Sequence, residues 1–161
     1  MNPDTPLTRE TFRRLHPISA PATLSQLPDR VWTEGEWERI RHGYRAQDMD
    51  EKWNVFAEGD ALFMHRSWTG RGVYEATFAE VPGGGRRIVA AVVEGDGTVY
   101  RRRSDAYDCL TLELVISAIL LGEPAESLRA GLRELTAQAT GVSDAPAGVV
   151  EHSVLGLRSG S

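Results

Sequence analysis

Cysteine and lysine are nearly absent from this sequence, and long hydrophobic runs are missing altogether. The single cysteine, Cys109, cannot form a disulfide within the chain, which is typical of a reducing compartment. The longest apolar run, Leu114 to Leu121, is far shorter than the about 20 residues that a membrane span needs. Met1 to Ala20 contains acidic side chains and no apolar core, so we expect no signal peptide, no membrane partner and a cytoplasmic location.

An excess of basic residues is also lacking. The 161 residues carry 18 basic and 23 acidic side chains, and the net charge of −5 disfavours binding to duplex nucleic acid. A chain of this length buries about two-thirds of its unfolded surface, enough for one domain without disulfides or metals. The length excludes a two-domain enzyme with a separate cofactor domain.

Recognisable catalytic and metal-binding motifs are missing as well. The four histidines show no metal-ligand spacing, and Cys109 has no second cysteine, so we predict no metal site and no cofactor. Pro82 to Gly85 lacks the Lys-Ser/Thr pair of a phosphate-binding loop and precedes a strand, which indicates a hairpin turn. No Gly-x-Ser-x-Gly sequence occurs. The sequence therefore leaves open whether the protein is an enzyme.

Alternating hydrophobicity dominates the middle of the chain. Short glycine-containing connections separate the apolar stretches there, which predicts antiparallel neighbours and a meander of four or five strands. The predicted strands are Trp53–Glu58, Ala61–Trp68, Val73–Val81, Arg87–Glu94 and Thr98–Arg102.

Helical periodicity flanks the predicted sheet. Thr33 with Glu36 forms a capping box, which predicts a helix over Thr33 to His42, and Ser104 is an N-cap for a nearly all-apolar helix over Asp105 to Leu121. Further helices are predicted over Ala125 to Thr140 and, in a short stretch, Thr8 to Leu15. The predicted fold is α+β: an antiparallel meander with helices packed on one face and an N-terminal helical arm.

Three segments divide the chain by composition. Residues 1–30 contain five prolines and form the predicted arm, residues 31–141 form a single α+β domain, and residues 142–161 form a partly disordered tail. Apolar residues around Val149 and Val154 would let the tail add an edge strand or bind a partner.

Two polar segments are the candidate site. Asp48 to Trp53 precedes one predicted strand, and His65 to Gly70 ends its partner, so the two segments are neighbours across the ladder. In the functional interpretation, Arg66 binds an anion bidentately, Lys52 acts as cation or general base, and Trp68 offers a stacking platform.

Three further residues of the two polar segments are also candidates. Asp50 or Glu51 would orient the cations, and His65 is a further catalytic candidate. The structural alternative is a charged strand end, in which Lys52 and Arg66 pair with local acids and the tryptophans pack in the core.

Two charged residues fall at positions predicted to be apolar. Arg66 shares a strand face with Met64, so its guanidinium is expected to be half buried against a carboxylate or an anionic ligand. Glu113 lies in the most apolar helix and is either a catalytic acid with a raised pKa or the solvent edge of the helix.

Arg101 to Arg103 precedes a helix N-terminus, but two aspartates in the first turn of that helix favour local ion pairs over phosphate binding there.

The run Met49-Asp50-Glu51-Lys52-Trp53, followed by His65-Arg66-Ser67-Trp68-Thr69-Gly70, resembles a pair of runs in small uncharacterised bacterial and phage proteins. The resemblance covers residues 49 to about 78 and implies no activity. Two function classes therefore remain open. One is a domain that binds an anionic small molecule such as a nucleotide or phosphate ester, with a reaction on that molecule left open; the other is a protein-interaction module of the immunity, adaptor or antitoxin type, without catalysis.

Overall fold

The computed structural model describes residues 6–48, 50–100 and 104–140. They form a five-stranded antiparallel sheet and three helices, with the strand order β1-β5-β4-β3-β2. A π-helical segment, Val115–Leu120, continues the second helix. The elements are β1 (Pro21–Thr23), α1 (Glu34–His42), β2 (Trp53–Glu58), β3 (Ala61–Arg66), β4 (Gly72–Glu80), β5 (Arg86–Glu94), α2 (Asp105–Leu114) and α3 (Glu126–Thr140).

The predicted α+β fold with an antiparallel meander is confirmed. Strands β2 to β5 pair in chain order, each with the next. Of the predicted strand Thr98–Arg102, residues 98–100 lie in the described part of the chain, and they form no strand: Asp96 accepts hydrogen bonds from the backbone N–H and hydroxyl of Thr98, and this local bonding produces a turn. The fifth strand is β1, which comes from the arm and pairs with β5.

Helix caps follow the sequence signals closely. Thr33 and Glu36 form a reciprocal capping box at the start of α1, and Ser104 accepts a hydrogen bond from the Tyr107 N–H at the start of α2. Gly43 ends α1 with φ of 78°, a conformation that glycine adopts without strain.

One face of the sheet contains the main core. Trp53, Val55, Met64 and Tyr74 alternate inward along their strands and are at most 1% exposed. Helix α1 contributes Trp37, whose ring lies 4.7 Å from that of Phe78 on β4. The π-helical segment is buried throughout and half of the α2 residues are buried, which agrees with the helix predicted to be apolar nearly all round.

The arm packs on part of the opposite face, over β2 and β3. The Phe12 ring lies 5.7 Å from that of Phe56, and the guanidinium of Arg9 lies over Phe56 and Phe63. The predicted helix over Thr8 to Leu15 is only a 3-10 turn, Arg9–Thr11, so a helical arm is not confirmed. The predicted tail, residues 142–161, lies outside the described residues. Within them, no helix has the length and apolar character to cross a membrane.

Candidate functional site

A tight turn at the end of β3 brings the two polar segments together. Strand β3 ends at Arg66, two residues earlier than predicted, and Ser67–Thr69 turn back toward β4. The turn is closed by a hydrogen bond from the Gly70 N–H to the Arg66 carbonyl, at 2.9 Å. The Ser67 N–H donates to the Lys52 carbonyl at 2.9 Å, which joins this turn to the start of β2.

A cavity of about 400 Å³ opens beside this turn. Its volume lies within the range of small-molecule sites. Among the described residues that line it, two are cations and none is a carboxylate. The lining consists of Lys52, Arg66, Ser67, Trp68, Thr69 and Val99.

Arg66 lies between two aromatic rings at the base of the cavity. Its guanidinium carbon is 4.6 Å from the centre of the Trp53 ring and 5.9 Å from that of Tyr100. Burial lowers the pKa of Arg66, although the group stays charged at neutral pH. Among the described residues, the guanidinium contacts these rings and forms no ion pair with a carboxylate.

A buried hydrogen-bond network holds the Tyr100 ring in place. The Tyr100 and Tyr74 hydroxyls are 2.8 Å apart, and both donate to the same carboxylate oxygen of Asp108. Through residues of α2 and β4, this network holds in place one of the two rings that contact Arg66.

Lys52 carries the second positive charge of the cavity. Burial lowers the pKa of its amine, and the charge of Arg66 lowers it further. Both cations line the same cavity. A bound anion would relieve their repulsion.

Trp68 stands out among the four tryptophans of the sequence. Its side chain is 63% exposed, whereas Trp32, Trp37 and Trp53 are at most 4% exposed. Trp68 lies in the turn, contrary to the structural alternative, in which the tryptophans pack in the core. An exposed indole beside two cations provides a face on which a planar group can stack.

A second cavity, of about 500 Å³, is also lined by Trp68. Ser67 and Trp68 line both cavities. The remaining residues of the second cavity are polar, apart from one alanine. They are Arg45, Ala46, Gln47, Asp48 and Asn54.

Of the predicted site residues, the structure brings Lys52, Arg66 and Trp68 together in the first cavity. Asp50 is exposed in the preceding turn and does not line the cavity. Glu51 is 2% exposed, and its carboxylate accepts hydrogen bonds from the Tyr44 hydroxyl and the Gln47 N–H. Its role in the structure is to hold the segment before β2.

His65 faces away from the cavity because it alternates with Arg66 along β3. It is 2% exposed, its Nδ1 lies 2.8 Å from the Gly70 carbonyl, and its ring packs 5.5 Å from that of Phe56. Burial lowers its pKa, so the neutral form predominates with Nδ1 as donor.

Glu113 belongs to a different part of the molecule. Burial raises its pKa, and the charge of Arg30 opposes that rise. Arg30 bonds to Glu36 and Glu123 at 2.7 and 2.8 Å. The neighbouring Cys109 has its pKa raised to about 11 by burial and by Glu113, which makes the thiol inert at neutral pH.

Some residues that line the cavities or contact Arg66 were not predicted from the sequence. Val99 and Tyr100 were assigned to a strand, although the Asp96-Gly97-Thr98 sequence is a turn signal that places them beside β3. Asn54 and Gln47 gave no signal because isolated amides are common on surfaces. Arg101 to Arg103 lies outside the described residues.

No metal site emerges from the part of the chain that the structure describes, where no three His, Cys, Asp or Glu side chains are grouped to hold an ion. Comparison with known proteins gives no match, so the function has to be inferred from the chemistry of the cavities. No protein-family model, no curated protein and no solved structure matches this chain.

Proposed function

We propose that the first cavity binds a small anionic molecule, such as a nucleotide or another phosphate ester, with its anionic group on Lys52 and Arg66. The observation that carries the proposal is that these two cations line one cavity together and that no carboxylate is among its described lining residues. Two positive charges held close together repel each other, and an anion bound between them attracts both.

The guanidinium of Arg66 is suited to this role. The rings that it contacts, Trp53 and Tyr100, hold the group without using its N–H donors. A planar fork of N–H groups matches two oxygens of a phosphate or carboxylate, which a lysine amine cannot do. The proposal therefore gives Arg66 the bidentate contact and Lys52 the second charge.

Catalysis would depend on Lys52. The predicted catalytic residues His65 and Glu113 do not line the cavity, and Lys52 is the lining group whose lowered pKa suits a general base. Binding of the anion is therefore the proposed function, and any catalysis would be additional to it.

The test is calorimetric titration and thermal unfolding with inorganic phosphate and nucleoside 5′-monophosphates. A ligand at 100 times its dissociation constant stabilises the fold by about 2.7 kcal/mol. Lys52→Met and Arg66→Gln should abolish this stabilisation. Arg87→Gln, an exposed arginine on β5, is the matched control and should retain it. Absence of any shift with every anion in the wild-type protein would refute the proposal.

The protein-interaction class is supported by one observation, the 63% exposed indole of Trp68. Tryptophan is enriched among the residues that dominate protein interfaces. The arm no longer supports this class, because it packs on the sheet of its own chain. A protein partner that is lost with Trp68→Ala, together with no anion binding, would favour it.

A further inference from the structure

We propose that the second cavity is a subsite of the same binding site and that the ligand is a mononucleotide, with its phosphate on Lys52 and Arg66 and its base beyond Trp68. This inference rests on the proposed function of the first cavity. It adds the class of ligand and the residues that select the base.

The two cavities share two lining residues. Ser67 and Trp68 line both, and the indole of Trp68 is 63% exposed. A single ligand can therefore pass over this turn and place one end in each cavity. The volumes of about 400 and 500 Å³ each lie within the range of small-molecule sites.

The charges of the two linings determine which end goes where. The described residues of the first cavity include two cations, Lys52 and Arg66, and no carboxylate. The second has one cation, Arg45, and one anion, Asp48, which balance. A phosphate is therefore favoured in the first cavity, and an uncharged group in the second.

Two amides in the second cavity have fixed orientations. Asn54 accepts a hydrogen bond at Oδ1 from the Ala46 N–H at 2.8 Å, which directs its NH₂ group away from that contact. Gln47 donates through Nε2 to the Arg45 carbonyl at 2.7 Å, which leaves its Oε1 as an acceptor. The second cavity thus offers a defined donor and a defined acceptor.

This pairing fits the edge of a nucleobase. A base carries donors and acceptors side by side on one planar ring system, and its face stacks on an indole. A sugar phosphate has hydroxyl groups but no aromatic face, and inorganic phosphate reaches neither Asn54 nor Gln47. The nucleotide is therefore the ligand that uses all of these features.

The experiment titrates the wild-type protein with inorganic phosphate, ribose 5-phosphate, and the 5′-monophosphates of adenosine, guanosine, cytidine and uridine. The same ligands are titrated into Gln47→Ala and Asn54→Asp. The carboxylate that the second variant introduces would keep an oxygen for the Ala46 N–H but lose the NH₂ donor. Gln26→Ala, an exposed glutamine outside both cavities, is the matched control.

We expect at least one nucleotide to bind tenfold or more tightly than ribose 5-phosphate. Each cavity variant should weaken that nucleotide by roughly three- to tenfold, the effect of one lost hydrogen bond. With Gln47→Ala, which changes no charge, ribose 5-phosphate affinity should stay constant, and Gln26→Ala should change nothing.

The outcomes separate the two proposals. If phosphate and ribose 5-phosphate bind at Lys52 and Arg66 but no nucleotide binds more tightly, the subsite is refuted and the anion site stands. If nucleotides bind tightly but Gln47→Ala and Asn54→Asp have no effect, the base lies elsewhere, and the subsite is again refuted. If no ligand binds, both proposals fail.

Discussion

Lys52 and Arg66 show how two side chains acquire unusual properties from their neighbours. Arg66 is the partner of Trp53 in the β2–β3 ladder, so its side chain shares a sheet face with that ring. Lys52 directly precedes Trp53 and lies within the electrostatic reach of Arg66. The result is a lysine whose charged form is disfavoured by burial and by a like charge.

The first prediction uses the fact that Lys52 is the only lysine of the chain. An acylating reagent labels only this side chain and the N-terminal amine, and only the neutral amine reacts. Because the pKa of Lys52 is lowered, its labelling should reach half its maximum at a lower pH than that of a free lysine side chain. Peptide mass spectrometry across the neutral to alkaline pH range measures this midpoint.

Arg66→Gln removes the neighbouring charge and should move the labelling midpoint to higher pH. Arg87→Gln should leave it in place. An unchanged midpoint in Arg66→Gln would show that the two cations are not coupled.

The second prediction concerns His65. Burial lowers its pKa, so the folded state holds the neutral ring and the unfolded state takes up a proton first. The free energy of unfolding should therefore fall as the pH drops below the unfolded value of about 6.5. His65→Asn, which keeps a side-chain N–H donor for the Gly70 carbonyl, should remove this part of the pH dependence.

Urea denaturation of both proteins at about one pH unit above, at, and about one unit below that unfolded value provides the measurement. The stability difference between wild type and His65→Asn should shrink steadily toward the most acidic of these conditions. A difference that stays constant with pH would contradict the assignment of a neutral buried histidine.

At the scale of the elements, the turn after β3 is the part that builds the site. It places Trp68 where this residue lines both cavities. Backbone hydrogen bonds hold the turn to Lys52 and to the arm. The arm contributes the His16 N–H, which donates to the Gly70 carbonyl at 2.8 Å. Gly70 has φ of 75°, and a Cβ there would lie 2.3 Å from the Arg14 carbonyl oxygen.

The third prediction compares Gly70→Ala with Gly83→Ala. Gly83 also has positive φ, at 93°, but no atom lies within 4 Å of an added Cβ. Gly83→Ala should therefore lower the free energy of unfolding by about 1 kcal/mol through backbone strain alone. Gly70→Ala should cost about 1–3 kcal/mol more, because the methyl group must displace the arm.

Chemical denaturation measures both variants. Gly70→Ala should also weaken anion binding, because the turn that carries Ser67 and Trp68 must move. Equal stability of the two variants would show that the arm does not constrain this turn.

At the scale of the whole molecule, the arm is tied to the last strand of the meander. Its anchor is Glu94 at the end of β5, which is 1% exposed. The carboxylate accepts hydrogen bonds from the N–H groups of Ser19, Ala20 and Asp96 at 2.7, 3.0 and 3.1 Å. Burial alone would raise the pKa of Glu94, but these donors outweigh it and hold the pKa below its ordinary value.

The fourth prediction is that Glu94→Gln loosens the arm. An amide replaces one acceptor oxygen with a donor that faces an N–H group, so we expect a loss of about 1–3 kcal/mol at neutral pH. Since the pKa of Glu94 is lowered, the contribution of its charge is complete above the unfolded value of about 4.5 and disappears as the pH falls through the folded value.

Denaturation at neutral and at acid pH, with hydrogen exchange at Ser19 and Ala20, measures the effect. Exchange at these two amides should accelerate in the variant. Glu134→Gln, at an exposed position of α3, is the control and should match the wild type. A stability loss that persists unchanged at acid pH would show that the charge of Glu94 is not the cause.

Local patterns of the sequence determined most of the elements. Alternation predicted β2 to β5, and the capping residues Thr33 and Ser104 predicted where two helices begin, because these signals depend only on near neighbours along the chain. The same alternation predicted that Arg66 would lie beside a large aromatic ring. That ring belongs to Trp53 on the neighbouring strand rather than to Trp68.

Tertiary structure decided what lies on each side of these elements. The arm supplies the fifth strand and packs on β2 and β3 from the second face. The sequence did not predict this strand, because three residues carry too little pattern and the strand is formed by pairing with β5. The same long-range packing separated the candidate site residues: His65 and Glu113 went to other environments, whereas Lys52, Arg66 and Trp68 met in one cavity. Spacing along the chain limits which residues can be neighbours, but only the packed fold determines which side chains share a cavity.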